Sequence, residues 1–503
     1  MSRLDRALMH LAPGLAASRA ANRIKAEMLA RRLTEMRYDG ASYGRRTATL
    51  RDSSADADAA AARRAVMSAR AHDLIRNNPW ARRAQDVMAN HVVGDGIIPK
   101  LTGGTPELRK DGLGQIERHL DSTMIDFEGR QNLYGLQQLA FRAMVEGGEC
   151  LVVPVFEPQR RGALPLQLRV LEADYLDVTL YGQSPEVPGN TVFEGIEYDP
   201  KGRRVAYWLY DQHPGTDNPK AGGMYRRSTR HPAGRVIHLY RQDRPGQMRG
   251  VTWFAPVMVA LADLADYQDA QIMRQKIASC FTAFWKSDNP DGAGSPPGET
   301  LAPGLIQKIG SDEDVTFATP PEAAGFDEFT RTVLRSIASG LGITYEALSG
   351  DLGQVNFSSA RMGRAEMDRA VSAWQWNLMI PVLLDRVGRW FQLAWALSDA
   401  TRASEIAALR VGWVPPHRFI VDPAREIPAL RNAVRAGFAS RQGVVRELGL
   451  DPERLLEEQI ADRAEADRNG LVFDTDARLT SSAGVTQAPP DRSAPLIEEN
   501  TDE

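Results

Sequence analysis

Apolar residues recur at spacings of three and four over Phe326 to Leu341, where Phe326, Phe329, Val333, Ile337 and Leu341 share one side of a helix. A longer stretch of the same period, Ser358 to Leu397, carries Met362, Val371, Trp374, Leu378, Leu383, Val387, Trp390, Phe391 and Ala394. Pro381 lies inside it and predicts a kink, because an interior proline removes a backbone hydrogen bond. Between the two stretches runs a polar loop with Gly350, Asp351, Gly353, Gln354, Asn356 and Ser358. Such residues end helices, begin them and tolerate turns. The pattern is a polar finger mounted on rigid rods. A further rod is predicted over Thr252 to Phe284. There Phe254, Val257, Met258, Leu261, Leu264 and Ala265 form one apolar face before Asp266, Asp269, Arg274 and Lys276 turn it polar.

From Glu146 to Tyr240 the period shortens. Cys150–Phe156, Gln167–Leu171, Thr191–Tyr198, Arg204–Tyr210 and Val236–Tyr240 are short β-branched and aromatic runs, a small β domain. Asp199-Pro200-Lys201-Gly202 reads as a hairpin turn, with Pro fixing φ and Gly accepting a positive φ. Upstream, residues 63 to 93 read as two helices meeting at Asn77-Asn78-Pro79, with Asn78 as cap and Pro79 in the first helical position. Downstream, residues 423 to 469 are helical with Gly437, Gly443 and Gly449 as joints. The predicted class is α+β.

Composition adds bounds. The 503 residues are 43% apolar and 25% charged, enough for a sizeable core. The net charge of −4 is unevenly placed: residues 1–51 carry 11 Lys/Arg against 4 Asp/Glu, and residues 451–503 carry 5 against 14. A basic arm and an acidic tail are expected to be solvated ends, with the arm a candidate for contact with nucleic acid or an acidic neighbour. The arginine-rich start has no apolar core long enough for export, while a mitochondrial presequence would have a similar composition. Cys150 and Cys280 are too few for a disulfide framework and are expected to be buried thiols in a reducing compartment. No apolar run approaches the length of a membrane span.

Enzyme chemistry is sparse. The sequence has no Gly-Lys dipeptide, so the phosphate loop of an ATP-driven motor is missing, and HExxH is absent. Asp263, Asp266 and Asp269 are the candidates for a two-metal nuclease, yet their spacing makes a stripe along a helix rather than a converging cage. No catalytic residue, cofactor or metal is expected. His72 and His91 read as packed rather than ligating, and Glu146 and Glu149 as ties between loops and the β domain. Trp374 falls on the apolar stripe; Trp376 falls off it, at the surface or at a subunit contact. The polar loop has two readings on spacing alone, an ordinary helix connection or a finger at a passage for DNA. A conduit needs weak, replaceable contacts, which Asp351, Gln354 and Asn356 suit, with Arg361 and Arg364 touching phosphates lightly from the loop's base.

Several blocks resemble the lambda-type portal proteins of tailed phages. The loop core Asn356-Phe357-Ser358-Ser359-Ala360-Arg361 is similar to the family's tunnel loop, with Phe357 where tyrosine is common. RNNPWARRAQDVMANHVVGDGI, LEADYLD (171–177), RQDRPGQMRGVTWFAPVM (241–258) and DPAREIPALRNAVRAGFASRQGVVRELGLDPE follow in family order, and the likeness spans residues 38–470. It implies a portal fold: basic arm 1–60, partly disordered; helical entry and β-rich wing 61–250; stem helix 251–285; clip 286–325; second stem helix 326–346; tunnel loop 347–357; long kinked helix 358–400; crown 401–469; disordered acidic tail 470–503. It further implies a ring, commonly of twelve subunits, at one capsid vertex of a virion assembled in the host cytoplasm. Double-stranded DNA would pass through it, the large terminase subunit and later head-completion proteins would dock on the clip, and capsid and scaffold proteins would touch the wing. The loop residues Asp351, Gln354, Asn356, Phe357, Arg361 and Arg364 would face DNA. Asp263, Asp266, Asp269, Arg274 and Lys276 are candidates for the channel wall. The rival readings are a metal-dependent nuclease and a virion adaptor or scaffold without a channel.

Overall fold

Asn78 fixes the first corner of the chain. Helix α1 (Ala61–Asn77) ends there and α2 (Pro79–Val92) begins, with the Asn78 side-chain oxygen accepting from the N–H of Trp80 at 3.0 Å and of Ala81 at 3.2 Å. This is the expected cap, and Pro79 occupies a position whose N–H has no intrahelical partner. The computed structural model describes residues 61–157, 163–215, 227–279, 283–287, 313–317, 325–353, 357–416 and 422–473, together with Lys25. The chain divides into two compact units, Met1–Ala57 and Asp58–Glu503. The predicted arm (Lys25 apart), the predicted tail beyond residue 473, Cys280 and most of the predicted clip lie outside the described residues.

Strand β1 (Ile98–Thr102) and helix α3 (Pro106–Gln115) follow, then α4 (Leu133–Gly147), which buries Leu133, Leu136, Ala140, Phe141 and Met144 against α2. Gly148 in left-handed geometry (φ 93°) stops α4 and starts β2 (Glu149–Val155). That strand is the centre of an antiparallel sheet in the order β3-β2-β9, flanked by β3 (Gln167–Glu172) and β9 (Ile237–Tyr240). Cys150 on β2 is buried, as expected, and burial pushes its thiol pKa up.

A second antiparallel sheet runs in the order β4-β5-β6-β7-β8, with β4 Gly182–Gln183, β5 Thr191–Phe193, β6 Ile196–Tyr198, β7 Arg204–Tyr210 and β8 Ser228–Pro232. The hairpin turn at Asp199–Gly202 is present: the Gly202 N–H donates to Asp199 O at 2.8 Å with Gly202 at φ 78°. The single strand expected over Thr191–Tyr198 is instead a tight hairpin. Glu194 (φ 50°) and Gly195 (φ 76°) both adopt positive φ, which a two-residue turn requires. Strands β1, β4 and β8 carry no clear alternating apolar pattern and were not expected.

Helix α5 spans Met258–Ser279, shorter at both ends than the rod predicted over Thr252–Phe284. Its start is delayed because Trp253 N–H and the Thr252 hydroxyl both donate to Val145 O, which pins residues 252–253 to the end of α4. At the far side, Phe284 belongs to β10 (Ala283–Ser287), paired antiparallel with β11 (Glu313–Phe317). Helix α6 (Phe326–Leu341) has the predicted bounds, and short α7 (Tyr345–Ser349) follows.

The long rod is continuous: α8 (Phe357–Trp374), a π-helical segment Gln375–Leu384, and α9 (Asp385–Ser398). Around Pro381, where a kink was expected, the helix is widened to π geometry. Shifting to i→i+5 bonding, as in Asp385 N–H to Ile380 O, accommodates the missing donor over a whole segment. Met362, assigned to the apolar stripe, is 77% exposed, whereas Val371, Leu378, Leu383, Val387, Trp390, Phe391 and Ala394 are buried. After α10 (Ala403–Ala408), strand β12 (Arg410–Val414) pairs with β1, so the start of the predicted crown is stitched to the N-terminal half. Helices α11 (Pro423–Arg435), α12 (Arg441–Glu447) and α13 (Pro452–Asn469) complete the described chain. Gly437 and Gly449 are joints with positive φ, but Gly443 sits inside α12, where its N–H caps on the Ser440 hydroxyl at 2.9 Å.

At the seam of helices and sheets lies a buried ionic cluster. Glu149 accepts from Arg249 Nε at 2.9 and 3.0 Å, from the Gly250 N–H at 3.0 Å, and lies 2.7 Å from His238 Nε2. Arg249 also reaches Glu194 at 3.3 Å, and Arg64 from α1 pairs with Glu194. Burial alone would raise the Glu149 carboxyl; the Arg249 charge and the His238 contact outweigh it and hold it well below its ordinary range. Burial pushes His238 down to about 4, so the cluster has two cations, two anions and a neutral imidazole.

Removing one member of a buried pair strands its partner, so Arg249→Ala is expected to lose about 3–5 kcal/mol in urea unfolding. The two histidines should titrate in opposite senses. His238, lowered from 6.5 to about 4, contributes stability that is full above pH 6.5 and is lost as pH falls towards 4. His72 is raised, chiefly by its 2.6 Å contact with Glu146, so its contribution is full below 6.5 and lost as pH climbs through its raised value. Unfolding midpoints of His238→Gln and His72→Gln between pH 4 and 8 should separate these two slopes.

Candidate functional site

Two rods and the loop after them form the candidate site. Helices α5 and α6 pack antiparallel. Tyr267 on α5 meets Phe326 and Phe329 on α6, with ring centroids 5.7 and 4.7 Å apart. At the other end Val257 fills the space beside Gly340, where an added Cβ would sit 2.5 Å from Val257 Cγ1. The residue types explain the pairing: aromatic rings hold one end apart and a glycine lets the other end close. The 22 residues of α5 extend about 33 Å. Beyond the rods' ends lies the β10–β11 ribbon.

The loop begins where Gly342 (φ 71°) ends α6. Thr344 then caps α7, its hydroxyl accepting from the Ala347 N–H at 3.2 Å, and Gly350 (φ 71°) ends that helix. Asp351 is bound locally: it accepts from the Gly353 N–H at 3.0 Å and the Tyr345 hydroxyl at 3.0 Å, and lies 3.7 Å from Arg331 Nε. The Gly353 N–H, first, and the Tyr345 hydroxyl lower its pKa, so the carboxylate stays ionised. Gln354 and Asn356 lie outside the described residues. Phe357 and Arg361 lie in the first turns of α8, with side chains outside the description. Arg364, on α8, lines a cleft of about 890 Å³ with His91, Asp368, Gln375, Trp376 and Trp413. Burial, then the Arg364 charge, lowers the His91 pKa.

On α5, Asp263, Asp266, Asp269 and Lys276 are exposed and Arg274 is half-buried. The three carboxylates are strung along the rod and do not converge. Among the described residues, the His/Asp/Glu group whose ligand atoms do converge is Glu172, Asp174 and His213, at or just past the ends of β3 and β7. There the Gly215 N–H donates to His213 Nδ1 at 3.0 Å, while Nε2 lies 3.2 Å from Glu172 and 3.8 Å from Asp174.

Among the described residues several apolar side chains are left uncovered: Val259 (73% exposed), Ile272 and Met273 on α5, Leu352 in the loop and Trp376 in the π-helical segment. Trp376 was expected off the stripe and is; Trp374 is packed, 4.9 Å from the Trp253 ring.

The sequence pattern of the phage portal protein, lambda family, matches residues 43–375. The chain is 26% identical over 449 residues to the "Probable portal protein" of Halomonas phage phiHAP-1, covering 84% of each. It is 22% identical over 481 residues to "Portal protein B" of Escherichia phage lambda, covering 84% of this chain and 87% of that one. Among solved structures, the chain of a "Neck of native GTA particle computed with C12 symmetry" is similar with a TM-score of 0.43 and 19% identity, over 76% of this chain and 94% of that one.

Closing the gap at Gly340 should splay the rods. Gly340→Leu is expected to lower stability by about 1–3 kcal/mol in urea unfolding, and Val257→Ala in the same chain should recover part of the loss.

Proposed function

The chain belongs to the lambda family of phage portal proteins, residues 43–375 carrying the family's pattern, and on that footing we propose how this portal protein works. Copies close into a ring at one capsid vertex, with the antiparallel rods bordering a passage for double-stranded DNA during packaging and ejection. The observation that carries this reading is the free surface of the rods. A monomer with Val259 73% and Met362 77% exposed leaves apolar area in water that a neighbouring copy would cover. Head-to-tail contacts that close by rotation need two different flanks per subunit, and each copy here offers α5 on one side and α6 on the other.

The loop after α7 is the finger at the passage. Tyr345 and Arg331 anchor Asp351 at the loop's root, and Gln354, Asn356 and Phe357 form the part that meets DNA. The large terminase subunit supplies ATP hydrolysis and docks on the region around the β10–β11 ribbon, residues 286–325, where head-completion proteins later bind. Capsid and scaffold proteins meet the wing. The ring acts in the virion and is assembled in the host cytoplasm. Among the described residues no helix is long and apolar enough to cross a membrane.

Deleting Gly350 to Phe357 should leave rings intact in negative-stain images while reducing packaged DNA yield or retention; unchanged yield and genome length would remove the loop from the mechanism. Purified protein should appear as rings with a central hole and leave plasmid DNA uncut in Mg²⁺ or Mn²⁺. Solid particles would favour the adaptor reading, and cleavage the nuclease.

A further inference from the structure

We propose that helix α11, with Phe438 at the corner after it, seats in the cleft of the neighbouring copy, so that each subunit of the ring grips the next through its C-terminal helices. This rests on the ring reading above. Helix α11 is amphipathic: Ile427, Leu430 and Val434 share one side at spacings of three and four, with Arg425 and Asn432 opposite. Yet none of its 13 residues is buried. A helix this short is marginal alone in water and draws its stability from an apolar face packed on something else. The corner that follows is fixed. Gly437 stands at φ 77°, and the N–H groups of Phe438 and Ala439 both donate to Ala433 O, at 3.0 and 3.3 Å. At such helix ends the residue after the glycine commonly folds its apolar side chain back on the last turn. Phe438 does not, and is 89% exposed. The chain holds an aromatic ring in water on a tied backbone.

The receiving site is the cleft of about 890 Å³. Val371, Trp376, Trp413, Val414, Pro415 and Pro416 give it an apolar lining, and Gly443 of α12 borders it too. Trp376 is 56% exposed, so an indole face is open to an incoming ring. The chain leaves this cleft at Pro416, makes α11, and is back at its border by Gly443, while no residue of α11 lines it. Helix α11 is thus an excursion that starts and ends at the chain's own cleft without entering it. Cyclic closure rotates a subunit about the axis and moves no residue along it. The neighbour's cleft therefore stands at the height from which α11 departs. Every copy gives a helix and receives one, so the contact repeats round a closed ring with no groove left over. The mode is an amphipathic helix laid in an apolar groove, anchored by Ile427, Val434 and Phe438.

Photocrosslinking tests this. The full chain is made with p-benzoylphenylalanine in place of Phe438, or in place of Trp376, then assembled, irradiated and run on a denaturing gel, and the joined peptides are mapped by mass spectrometry. The label at 438 should join two chains, reaching Trp376 or residues 413–416, and the label at 376 should return residues 427–438 of another chain. Phe438→Asp should weaken ring assembly about tenfold or more in mass photometry, since burying one phenylalanine shifts an equilibrium about tenfold to a hundredfold. Its circular dichroism should match wild type, because the side chain is exposed within the subunit. If wild type forms rings but the label at 438 reaches only its own chain or other sites, or the label at 376 returns residues 474–503, or Phe438→Asp assembles normally, this contact is wrong and the ring reading stands. If wild type forms no rings, the ring reading fails, and this inference with it.

Discussion

Two backbones touch where helix α4 hands over to strand β2, and most of the described structure is arranged around that contact. Gly148 and Gly250 face each other so closely that a Cβ on Gly250 would collide with the Gly148 carbonyl, and one on Gly148 would sit 2.5 Å from the Val251 backbone. The close approach brings Arg249 and the Gly250 N–H onto the Glu149 carboxylate. Through Arg249 the same carboxylate is linked to Glu194 at the hairpin of the five-stranded sheet, and Glu194 is linked to Arg64 on α1. A charge buried this deeply is tolerated only when fully paired, so each of the four elements must be in place for the others to be stable. The cluster therefore specifies one arrangement of the two sheets, helices α1 and α4, and the segment that leads into α5.

That rigidity has a purpose on the ring reading. The stem rod α5 begins only after residues 252 and 253 have been tied to α4, so its direction is set by the buried cluster rather than by its own propensity. A rod whose base is fixed this firmly can extend beyond the body with little core of its own. Tyr267 against Phe326 and Phe329, and Val257 against Gly340, hold its sister alongside. What remains outside is a mixed surface of Val259, Met273 and carboxylates. It is too apolar for water alone and too charged for a monomer's interior, which is the composition a wet interface between subunits tolerates.

Much of this was legible in the chain, for reasons that can be named. Helix α6 shows its period over four turns, and its bounds were found; Asn78-Pro79 carries cap and first-position chemistry in adjacent residues. The long rod was found; the π geometry around Pro381 was not, because the sequence gives no sign that the surrounding turns can widen. The hairpin at Glu194-Gly195 was missed because glutamate rarely accepts positive φ. Arg64 and Arg249, distant in sequence, hold it there, and no local window contains that information. The pairing of β1 with β12 was invisible for the same reason. At the site, the carboxylate stripe was seen as non-converging, while the cleft that Arg364 lines beside His91 was not foreseen, because it is made by α2, α8 and the β12 end, which lie far apart in the chain.

The charge pattern on the rods bears on how a polyanion would pass. Duplex DNA carries about one charge per 1.7 Å, and a wall studded with free cations would bind it tightly and stop it. Within the chain Arg331 already pairs with Asp327 and Asp351, and Arg335 lies over the Tyr345 ring, so these cations are engaged by the chain's own groups. On the proposed portal reading Asp351, ionised and tied to Tyr345 and Arg331, would stand at the root of the loop as a fixed negative charge that does not capture a polyanion.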